Sequence, residues 1–446
     1  MAEQLSEPRL WTPENASWAE WIASLPESER DRALSELAPT DTDLRALEYT
    51  WEFWARPKQL PPPGDWHIWL NRSGRGAGKT RTGAEWVIYR AQHGPFKPIA
   101  LVGQTKADVR DTMIEVGESS ILKCSPPWFT PRYEPSKRRL TWPNGVVATV
   151  FSGDEPDQLR GPQHATAWVD ELAKFRYPTE TWDMLMLGLR LSDDPRAIVT
   201  TTPRPIKVIR DLLADPNTVD VVGSTYENMS NLSPVFINQV IRKYEGTRLG
   251  QQELYGALLD DVPGALWTRK GIETTRVREA PDMVRIVVAV DPAVSAGEES
   301  NEHGLIVAGI DRQRHGYVLE DCTLRGSPSE WAKTAIAAYH RWQANGIIAE
   351  NNQGGDMVRY TLETIDPAVP VKMVHASRGK MTRAEPVSSL YEQGRVHHVG
   401  MFAELEDQLC TWVPGEDSPD RLDALVWAFT ELLVGEAPVT FIQRYR

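Results

Sequence analysis

Residues 71–86 of the chain read NRSGRGAGKTRTGAEW, a glycine-rich turn that ends in Gly78-Lys79-Thr80. A phosphate-binding loop has the pattern G-x-x-x-x-G-K-[ST]. The window from Ser73 to Thr80 departs from this pattern only at its first position, where serine replaces glycine. An apolar run, WHIWLN, precedes the turn, and a helical pattern, TRTGAEWVIYR, follows it. The stretch therefore predicts a strand, a phosphate-binding loop and a helix whose N-terminus faces the phosphates.

The loop residues have distinct predicted roles toward ATP. Lys79 is expected to reach the β- and γ-phosphate oxygens, and Thr80 is expected to hold Mg²⁺. An ordinary glycine-rich turn is the alternative, but the flanking strand and helix favour the nucleotide site. The backbone N–H groups expected to surround the phosphates are those of Gly74, Arg75, Gly76, Ala77 and Gly78.

Two further strand ends carry polar residues that suit ATP hydrolysis. The run ATAWVDEL places Asp170 where it would complete a magnesium site and Glu171 where it would orient or deprotonate the attacking water. Acids often follow strands, so this pair alone is weak evidence. The phosphate loop ninety residues earlier is what favours a role in hydrolysis. In IVTTTPRP, Thr201 and Thr202 are candidates for sensing the γ-phosphate and coupling its loss to DNA. A polar strand end stopped by Pro203 is an equally good explanation.

Three arginines are candidates for stabilising the transition-state charge of phosphoryl transfer. They are Arg75 in the loop, Arg139 in SKRRLTW and Arg160 in DQLRG. Any one of them taken alone is more often a surface or structural arginine.

Composition limits the class of protein. The 446 residues suffice for two or three domains, no apolar run reaches the roughly 18 residues that span a bilayer, and the N-terminus lacks the order of a signal peptide. The three cysteines are far apart, which argues against a disulfide framework or a zinc cluster. We therefore expect a cytoplasmic protein. The net charge is −13, but residues 1–50 alone hold four arginines against eleven acids, so nucleic acid remains open as a partner.

The order of apolar and helical stretches predicts two α/β domains. From residue 66 onward, short apolar runs alternate with helical patterns, which is typical of a parallel, doubly wound sheet. A second α/β pattern begins at MVRIVVAVDPAVS, and its first strands, joined by short polar turns, suggest a meander. The predicted organisation is an acidic helical segment (1–47), a phosphate-loop domain (48–260), a linker (261–280) around DDVPGALW, and a second domain (281–446).

Three acids of the second domain lie at suggestive places. Asp291 ends the strand RIVVAV, Glu350 ends GIIA, and Asp423 lies in the first turn of DRLDALVWAFTEL. Carboxylates arranged in this way could hold two divalent ions that activate water and stabilise the leaving oxygen of a phosphodiester. Each acid also has a structural explanation: a turn before Pro292, or a favourable place at a helix N-terminus for Asp423, with Asp420 as the helix cap.

Basic and histidine residues nearby are weaker candidates. Arg378, Lys380 and Arg383 in HASRGKMTRAEP are placed where a DNA backbone could pass the acids, although solvated loop charge explains them equally well. His397 and His398 do not form a metal pair, because adjacent strand residues point to opposite faces.

The motifs together resemble the large terminase subunits of tailed bacteriophages. SGRGAGKTRTGAEW, WPNG, DEPDQLRG, VDE and TTPRP are followed in order by VDPAVS, AENNQGG and SPDRLDALVWA, from about residue 48 to 435. The resemblance implies an α/β P-loop ATPase domain with a parallel sheet, followed by a ribonuclease-H-like nuclease domain. It implies that Gln59 contacts adenine, that Thr201 and Thr202 lie in the coupling motif, and that Asp291, Glu350 and Asp423 bind metal. A loop without the first glycine is itself similar to the deviant loops of that family.

The resemblance also implies partners and a place of action. They are double-stranded DNA, a small terminase subunit and the portal protein of a procapsid, on which the chain would dock transiently as a ring in the bacterial cytoplasm. The implied cofactors are ATP and Mg²⁺, with Mg²⁺ or Mn²⁺ at the nuclease. One rival is a helicase- or repair-type ATPase fused to a nuclease, which would need a second motor-like domain. Another is a structural or nucleotide-gated scaffold protein without a motor.

Overall fold

A computed structural model describes residues 16–237, 245, 248–259, 261–292, 302–351, 355–375, 380–416 and 418–434. The chain forms two compact units, Met1–Leu259 and Asp260–Arg446. The stretch 261–280, expected to be a linker, instead packs within the second unit. The side chains of Trp267 and of Ile272, which lies on its helix Arg269–Thr275, are buried in the core of that unit.

Short helices open the first unit. Two of them begin at capping boxes, in which Ser17 pairs with Glu20 and Thr40 pairs with Asp43, so their first N–H groups are satisfied by side chains. They bury a small apolar cluster of Ile22, Ala38, Leu47 and Phe53. The helices are Trp18–Ala23, Glu27–Leu37, Asp41–Glu48 and Trp51–Trp54.

An eight-stranded sheet forms the centre of the first unit, in the order β3-β4-β5-β2-β6-β7-β1-β8. The six strands from β5 to β8 along this order are parallel, as predicted, and the hairpin β3–β4 extends the edge in antiparallel fashion. The strands are β1 (Ile68–Ser73), β2 (Ile99–Gly103), β3 (Arg132–Glu134), β4 (Arg139–Thr141), β5 (Val147–Ser152), β6 (Thr166–Asp170), β7 (Arg196–Thr201) and β8 (Thr218–Gly223).

Helices cover this sheet and complete its core. The helix that follows the phosphate loop packs on β6 and β7, and its Gly83 lies against the Trp168 ring. The helices are Lys79–Gln92, Lys106–Asp108 continuing into a π-helical stretch Val109–Glu115, Ile121–Cys124, Pro178–Gly188, Lys207–Ala214 and Arg248–Tyr255.

Strands β6, β7 and β1 are direct neighbours, so their carboxyl ends meet at one edge of the sheet. Asp170 pairs in register with Thr200, and Arg72 pairs with Thr201. Ligands of parallel α/β sheets bind at such an edge. The fold therefore brings the phosphate loop, the acidic pair and the threonine run together.

A six-stranded sheet forms the second unit, in the order β13-β12-β9-β10-β11-β14. β9, β10 and β11 make the expected antiparallel meander, and β12 runs parallel to β9. The strands are β9 (Arg285–Asp291), β10 (Gly304–Ile310), β11 (Gly316–Asp321), β12 (Gly346–Glu350), β13 (Val371–Val374) and β14 (Val396–His398). Besides Arg269–Thr275, the helices are Pro328–Arg341, Gly355–Ile365, Lys380–Glu392, Ala403–Thr411 and Asp420–Phe429, the last followed by a π-helical turn, Thr430–Val434.

The helix Asp420–Phe429 lies directly on β9 and β10. Gly304 permits this approach, because a Cβ atom there would lie 2.0 Å from the carbonyl oxygen of Asp420. Asp423 is thereby held near the end of β9. Across the described residues, no helix is both long and apolar enough to cross a membrane.

Candidate functional sites

Side chains hold the carbonyl groups of the phosphate loop. Three of the predicted phosphate-binding N–H groups donate within the chain instead: Gly74 to Gly223 O (2.9 Å), Arg75 to Glu253 O (2.6 Å) and Ala77 to Gly74 O (3.3 Å). These groups must exchange those partners to bind phosphate. The loop carbonyls are in turn held by side chains. The contacts are Lys79 Nζ to Ser73 O (2.9 Å) and Gly74 O (3.0 Å), Thr225 Oγ1 to Arg75 O (2.7 Å), Asn228 Nδ2 to Gly76 O (2.6 Å), Arg56 Nη2 to Ala77 O (2.9 Å) and Gln59 Nε2 to Gly78 O (3.4 Å).

The serine at the first loop position is accommodated by a neighbouring strand. Ser73 Oγ donates to Asn71 Oδ1 (2.7 Å) and accepts from the N–H of Gly223 (3.1 Å). A Cβ atom at Gly223 would lie 2.8 Å from that hydroxyl, so glycine on β8 leaves the space that the serine fills. The departure from the usual loop pattern is therefore a buried structural contact.

Lys79 lies at the centre of the site. Its Nζ is 3.2 Å from Thr202 Oγ1 and 3.9 Å from Glu171 Oε1. Burial lowers the pKa of Lys79, although the negative charges of Glu171 and Asp170 oppose that shift. A buried cation among hydroxyl and carboxylate oxygens is placed to exchange these contacts for phosphate oxygens.

The two adjacent acids have different environments. Burial, then the charge of Glu171, raises the pKa of Asp170 to about 7, although Thr200 Oγ1 donates to its Oδ1 at 2.5 Å. Burial would also raise the pKa of Glu171, but the charges of Lys79 and Lys174 outweigh it and lower that pKa. Glu171 adopts a left-handed backbone (φ 56°), and its Oε2 accepts from the N–H of Thr202 at 3.2 Å. Such a division between neighbouring carboxyls is typical of sites in which they have separate roles.

A cavity of about 760 Å³ opens beside the loop. This volume lies within the range of small-molecule and cofactor sites. Predicted residues that line it are Gln59, Arg75, Gly76, Gly78, Lys79, Thr80, Glu171 and Thr202.

Other residues at this site were not predicted, and one predicted residue lies differently. Thr201 Oγ1 accepts from the N–H of Ala173 and donates to the Thr202 carbonyl, so it stabilises the strand end itself. The preceding Thr200 is the threonine that contacts Asp170. Arg56 is buried and donates to Asn228 Oδ1 (2.5 Å) as well as to the loop. The run TTT could have indicated Thr200, whereas nothing local marks Asn228.

The arginine candidates are spread over the first unit. Arg75 lines the cavity, and its Nε lies 3.2 Å from Glu253 Oε2. Arg139 is on the edge strand β4, with Nη2 3.4 Å from Glu134 Oε2, and Arg160 is exposed. Neither Arg139 nor Arg160 lines the cavity of its own chain.

The second unit brings the three predicted acids together. Asp291 and Glu350 end the adjacent parallel strands β9 and β12, and all three carboxylates, including that of Asp423, are buried. Burial, then the charges of Glu350 and Asp423, raises the pKa of Asp291 well above its usual range. Burial, then the charges of Glu302 and Asp423, raises the pKa of Asp420 to about 6.

Basic and indole groups contact this acid cluster. Trp427 Nε1 donates to Glu350 Oε2 at 2.8 Å, and Lys380 Nζ lies 3.0 Å from Asp423 Oδ2. Arg383 Nη1 is 3.8 Å from Glu350 Oε1. Arg378, the third predicted basic residue, lies outside the described residues.

The donor sets of both sites suit a hard divalent cation. Carboxylate and hydroxyl oxygens are the ligands that Mg²⁺ and Mn²⁺ prefer. Within the described ranges, however, no group of three or more histidine, cysteine or carboxylate side chains is placed to hold a metal ion by itself. The types of side chain at both sites therefore suit a divalent cation, and metal binding stays a proposal.

The two adjacent histidines face opposite sides, as predicted. His397 Nδ1 contacts the Thr275 carbonyl (2.7 Å), and its Nε2 lies 2.8 Å from His315 Nδ1. His398 is buried and contacts Glu406 Oε1 at 2.9 Å. Each imidazole therefore has hydrogen-bond partners of its own.

Two family models match the chain. One, described as "Terminase large subunit, T4likevirus-type, N-terminal", matches residues 72–274. The other, described as "Terminase RNaseH-like domain", matches residues 288–432. Together they cover most of the sequence and both folded units.

Several solved structures are similar to the chain at low identity. The large terminase of a thermophilic bacteriophage is 15% identical, with 86% of this chain and 96% of that chain covered and a TM-score of 0.41. The large terminase of bacteriophage HK97 is 14% identical, with 91% and 94% covered and a TM-score of 0.36. The large terminase ATPase domain of a Thermus phage is 15% identical, with 49% and 98% covered and a TM-score of 0.36. No protein of curated function matches the chain.

Proposed function

The chain belongs to the family of large terminase subunits, with an ATPase domain followed by a ribonuclease-H-like domain, and we propose how its two sites divide the work. The first unit hydrolyses ATP to move double-stranded DNA into a procapsid. The second unit cuts that DNA with the help of divalent cations. The observation that carries this proposal is that Lys79, Glu171 and Thr202 line one cavity in the first unit, whereas a buried carboxylate cluster lies in the second.

ATP hydrolysis is assigned to the site around Lys79. Its ammonium group contacts the β- and γ-phosphates, and the loop N–H groups bind the phosphate oxygens. Glu171 is ionised and held by Thr202, so its carboxylate orients the attacking water and accepts a proton from it. Thr80 and Asp170 would hold Mg²⁺, which neutralises charge on the phosphates when bound.

Nucleotide recognition and coupling are assigned to residues around the loop. Gln59 contacts adenine, and its side chain also reaches Gly78 O and Thr82 Oγ1 (3.3 Å), which links base binding to the loop. Thr202 senses the loss of the γ-phosphate and couples it to DNA movement, and the neighbouring Thr201 takes part in the same coupling. Arg139 or Arg160 acts in trans on the site of a neighbouring subunit; both lie outside the cavity of their own chain.

DNA cleavage is assigned to Asp291, Glu350 and Asp423. Divalent cations held by these carboxylates, Mg²⁺ or Mn²⁺, would supply water activation and stabilisation of the leaving oxygen. Trp427 fixes one oxygen of Glu350. The proximity of the acids, expressed in the raised pKa of Asp291, favours cation binding because a bound cation relieves their mutual repulsion.

The partners follow from the packaging role. They are double-stranded DNA, a small terminase subunit that selects it and the portal protein of the procapsid, on which the chain docks as a homo-oligomeric ring. The place of action is the cytoplasm of a bacterial host.

Packaging of linear DNA into procapsids that carry the cognate portal tests the proposal. DNA protected from DNase is measured for wild type, Lys79→Ala and Asp291→Ala. We expect no protected DNA with Lys79→Ala and normal protection with Asp291→Ala, since precut DNA needs no nuclease. Lys207→Ala, which removes an exposed surface lysine of the first unit, is the matched control and should package normally. Normal packaging by Lys79→Ala would refute the motor assignment.

A further inference from the structure

Arg383 is held beside the acid cluster by an aromatic ring. Its guanidinium carbon lies 4.3 Å from the centre of the Trp427 ring, and its side chain is only 9% exposed. Trp427 also donates its indole N–H to Glu350 Oε2 at 2.8 Å. One tryptophan therefore positions both the cation and a carboxylate of the proposed nuclease site.

The guanidinium is incompletely satisfied. Its Nε and Nη1 atoms are buried, and neither has a hydrogen-bond partner among the residues that the structure describes. The nearest carboxylate oxygen, Glu350 Oε1, is 3.8 Å from Nη1, which is too long for a hydrogen bond. Buried polar groups are almost always paired, so two unpaired donors on one cation indicate a ligand that supplies the acceptors.

Lys380, one helical turn earlier, differs in this respect. Its Nζ lies 3.0 Å from Asp423 Oδ2 and its side chain is half exposed, so its charge is already matched within the chain. Of the two described basic residues at the cluster, Arg383 is the one with buried donors that lack a hydrogen-bond partner in the described part of the chain. Guanidinium groups bind phosphate through parallel N–H bonds, which a lysine cannot reproduce.

We propose that Arg383 binds a non-bridging oxygen of the phosphodiester that the second unit cuts. This inference rests on the proposed nuclease function and names the residue that offsets repulsion between the acids and the DNA backbone. Trp427 supports the guanidinium before DNA arrives, so the contact is preorganised. Arg383 is thus a catalytic residue that touches the substrate, and Trp427 is a positioning residue.

Binding of the full-length chain to a DNA duplex in EDTA tests the contact without cleavage. The logarithm of the binding constant is plotted against the logarithm of the salt concentration, and the slope falls by about 0.9 for each lost phosphate contact. We expect this reduction for Arg383→Ala and a wild-type slope for Arg383→Lys, which keeps the charge.

Cleavage of plasmid DNA with Mg²⁺ or Mn²⁺ is measured on the same proteins. Arg383→Ala should cut about 100-fold more slowly, the cost of losing one preorganised donor to developing charge. Arg383→Lys should recover only part of the rate. Arg312→Ala, an exposed arginine in the turn at the other end of β10, is the matched control and should bind and cut as wild type does.

Two results would overturn the inference. An unchanged salt slope with slow cleavage by Arg383→Ala would mean that the arginine acts only through Glu350. Binding and cleavage equal to wild type would mean that it has no role. If wild type itself does not cut, the nuclease proposal fails, and the salt slope still decides whether Arg383 contacts a phosphate.

Discussion

A single methyl group at Gly304 should disable the nuclease while sparing the ATPase. In Gly304→Ala, the new Cβ would lie 2.0 Å from the carbonyl oxygen of Asp420, whereas real Cβ contacts essentially never fall below 3.0 Å. The helix Asp420–Phe429 must therefore retreat by about 1 Å. That helix carries Asp423, and a misplacement of this size typically costs about 100-fold in rate.

The prediction can be measured on one preparation. Gly304→Ala should nick supercoiled plasmid about 100-fold more slowly. Overpacking of this kind should also lower the free energy of unfolding of the second unit by about 1–3 kcal/mol. The rate of ATP hydrolysis should equal that of wild type, because the substitution lies in the other unit.

Gly309→Ala is the matched control on the same strand. Its Cβ would meet the flexible Met283 side chain, with Sδ at 2.8 Å and Cγ at 3.1 Å, and the backbone carbonyl oxygen of Arg285 at 3.2 Å, a far milder backbone contact than the 2.0 Å at Gly304. It should therefore cut at nearly the wild-type rate. Wild-type cleavage by Gly304→Ala, in a protein that remains folded, would refute the claim that Asp423 is placed by this close helix–strand contact.

Three further predictions address other parts of the chain. Ser73→Gly should lower the free energy of unfolding by about 1–2 kcal/mol, because two buried hydrogen bonds are lost. Chemical denaturation measures this change, and a phosphate-release assay should show that ATP hydrolysis is retained. A tenfold loss of hydrolysis would contradict a purely structural role for this serine. Thr202→Val removes the hydroxyl 3.2 Å from Lys79 Nζ and should lower kcat for ATP about tenfold; an unchanged kcat would argue against its part in the site. Burial would raise the pKa of Glu406, but Arg276 outweighs burial and holds that pKa well below the usual 4.5. The stability that this carboxylate contributes is present above pH 4.5 and is lost as pH falls below it. Unfolding measured from pH 3 to 6 should show this loss in wild type and a flatter profile in Glu406→Gln.

The positions of the candidate site residues could be predicted from the sequence because these positions depend on where strands end. Apolar runs marked the strands, and the polar residues directly after them, such as Asp170, Asp291 and Glu350, lie where neighbouring strands end together. Because the carboxyl ends of parallel strands lie at the same edge of a sheet, residues that follow neighbouring strands lie close together. The family models confirm the fold class that the resemblance implied, an ATPase domain followed by a ribonuclease-H-like domain.

Contacts between distant segments could not be read in this way. Asn228 reaches the loop carbonyl of Gly76 from 152 residues away, and no local pattern marks it. The stretch around DDVPGALW has the composition of a linker, yet Trp267 is buried by side chains contributed from elsewhere in the second unit. The orphaned donors of Arg383 likewise depend on the Trp427 ring, which only the folded chain places beside it.

The independence of the two sites is tested most directly by plasmid cleavage and ATP hydrolysis measured side by side. Wild type, Lys79→Ala and Asp291→Ala are each assayed with Mg²⁺ and with Mn²⁺. We predict that Lys79→Ala cuts DNA but does not hydrolyse ATP, and that Asp291→Ala hydrolyses ATP but does not cut. Equal cleavage by all three proteins would contradict the assignment of the acid cluster as the nuclease.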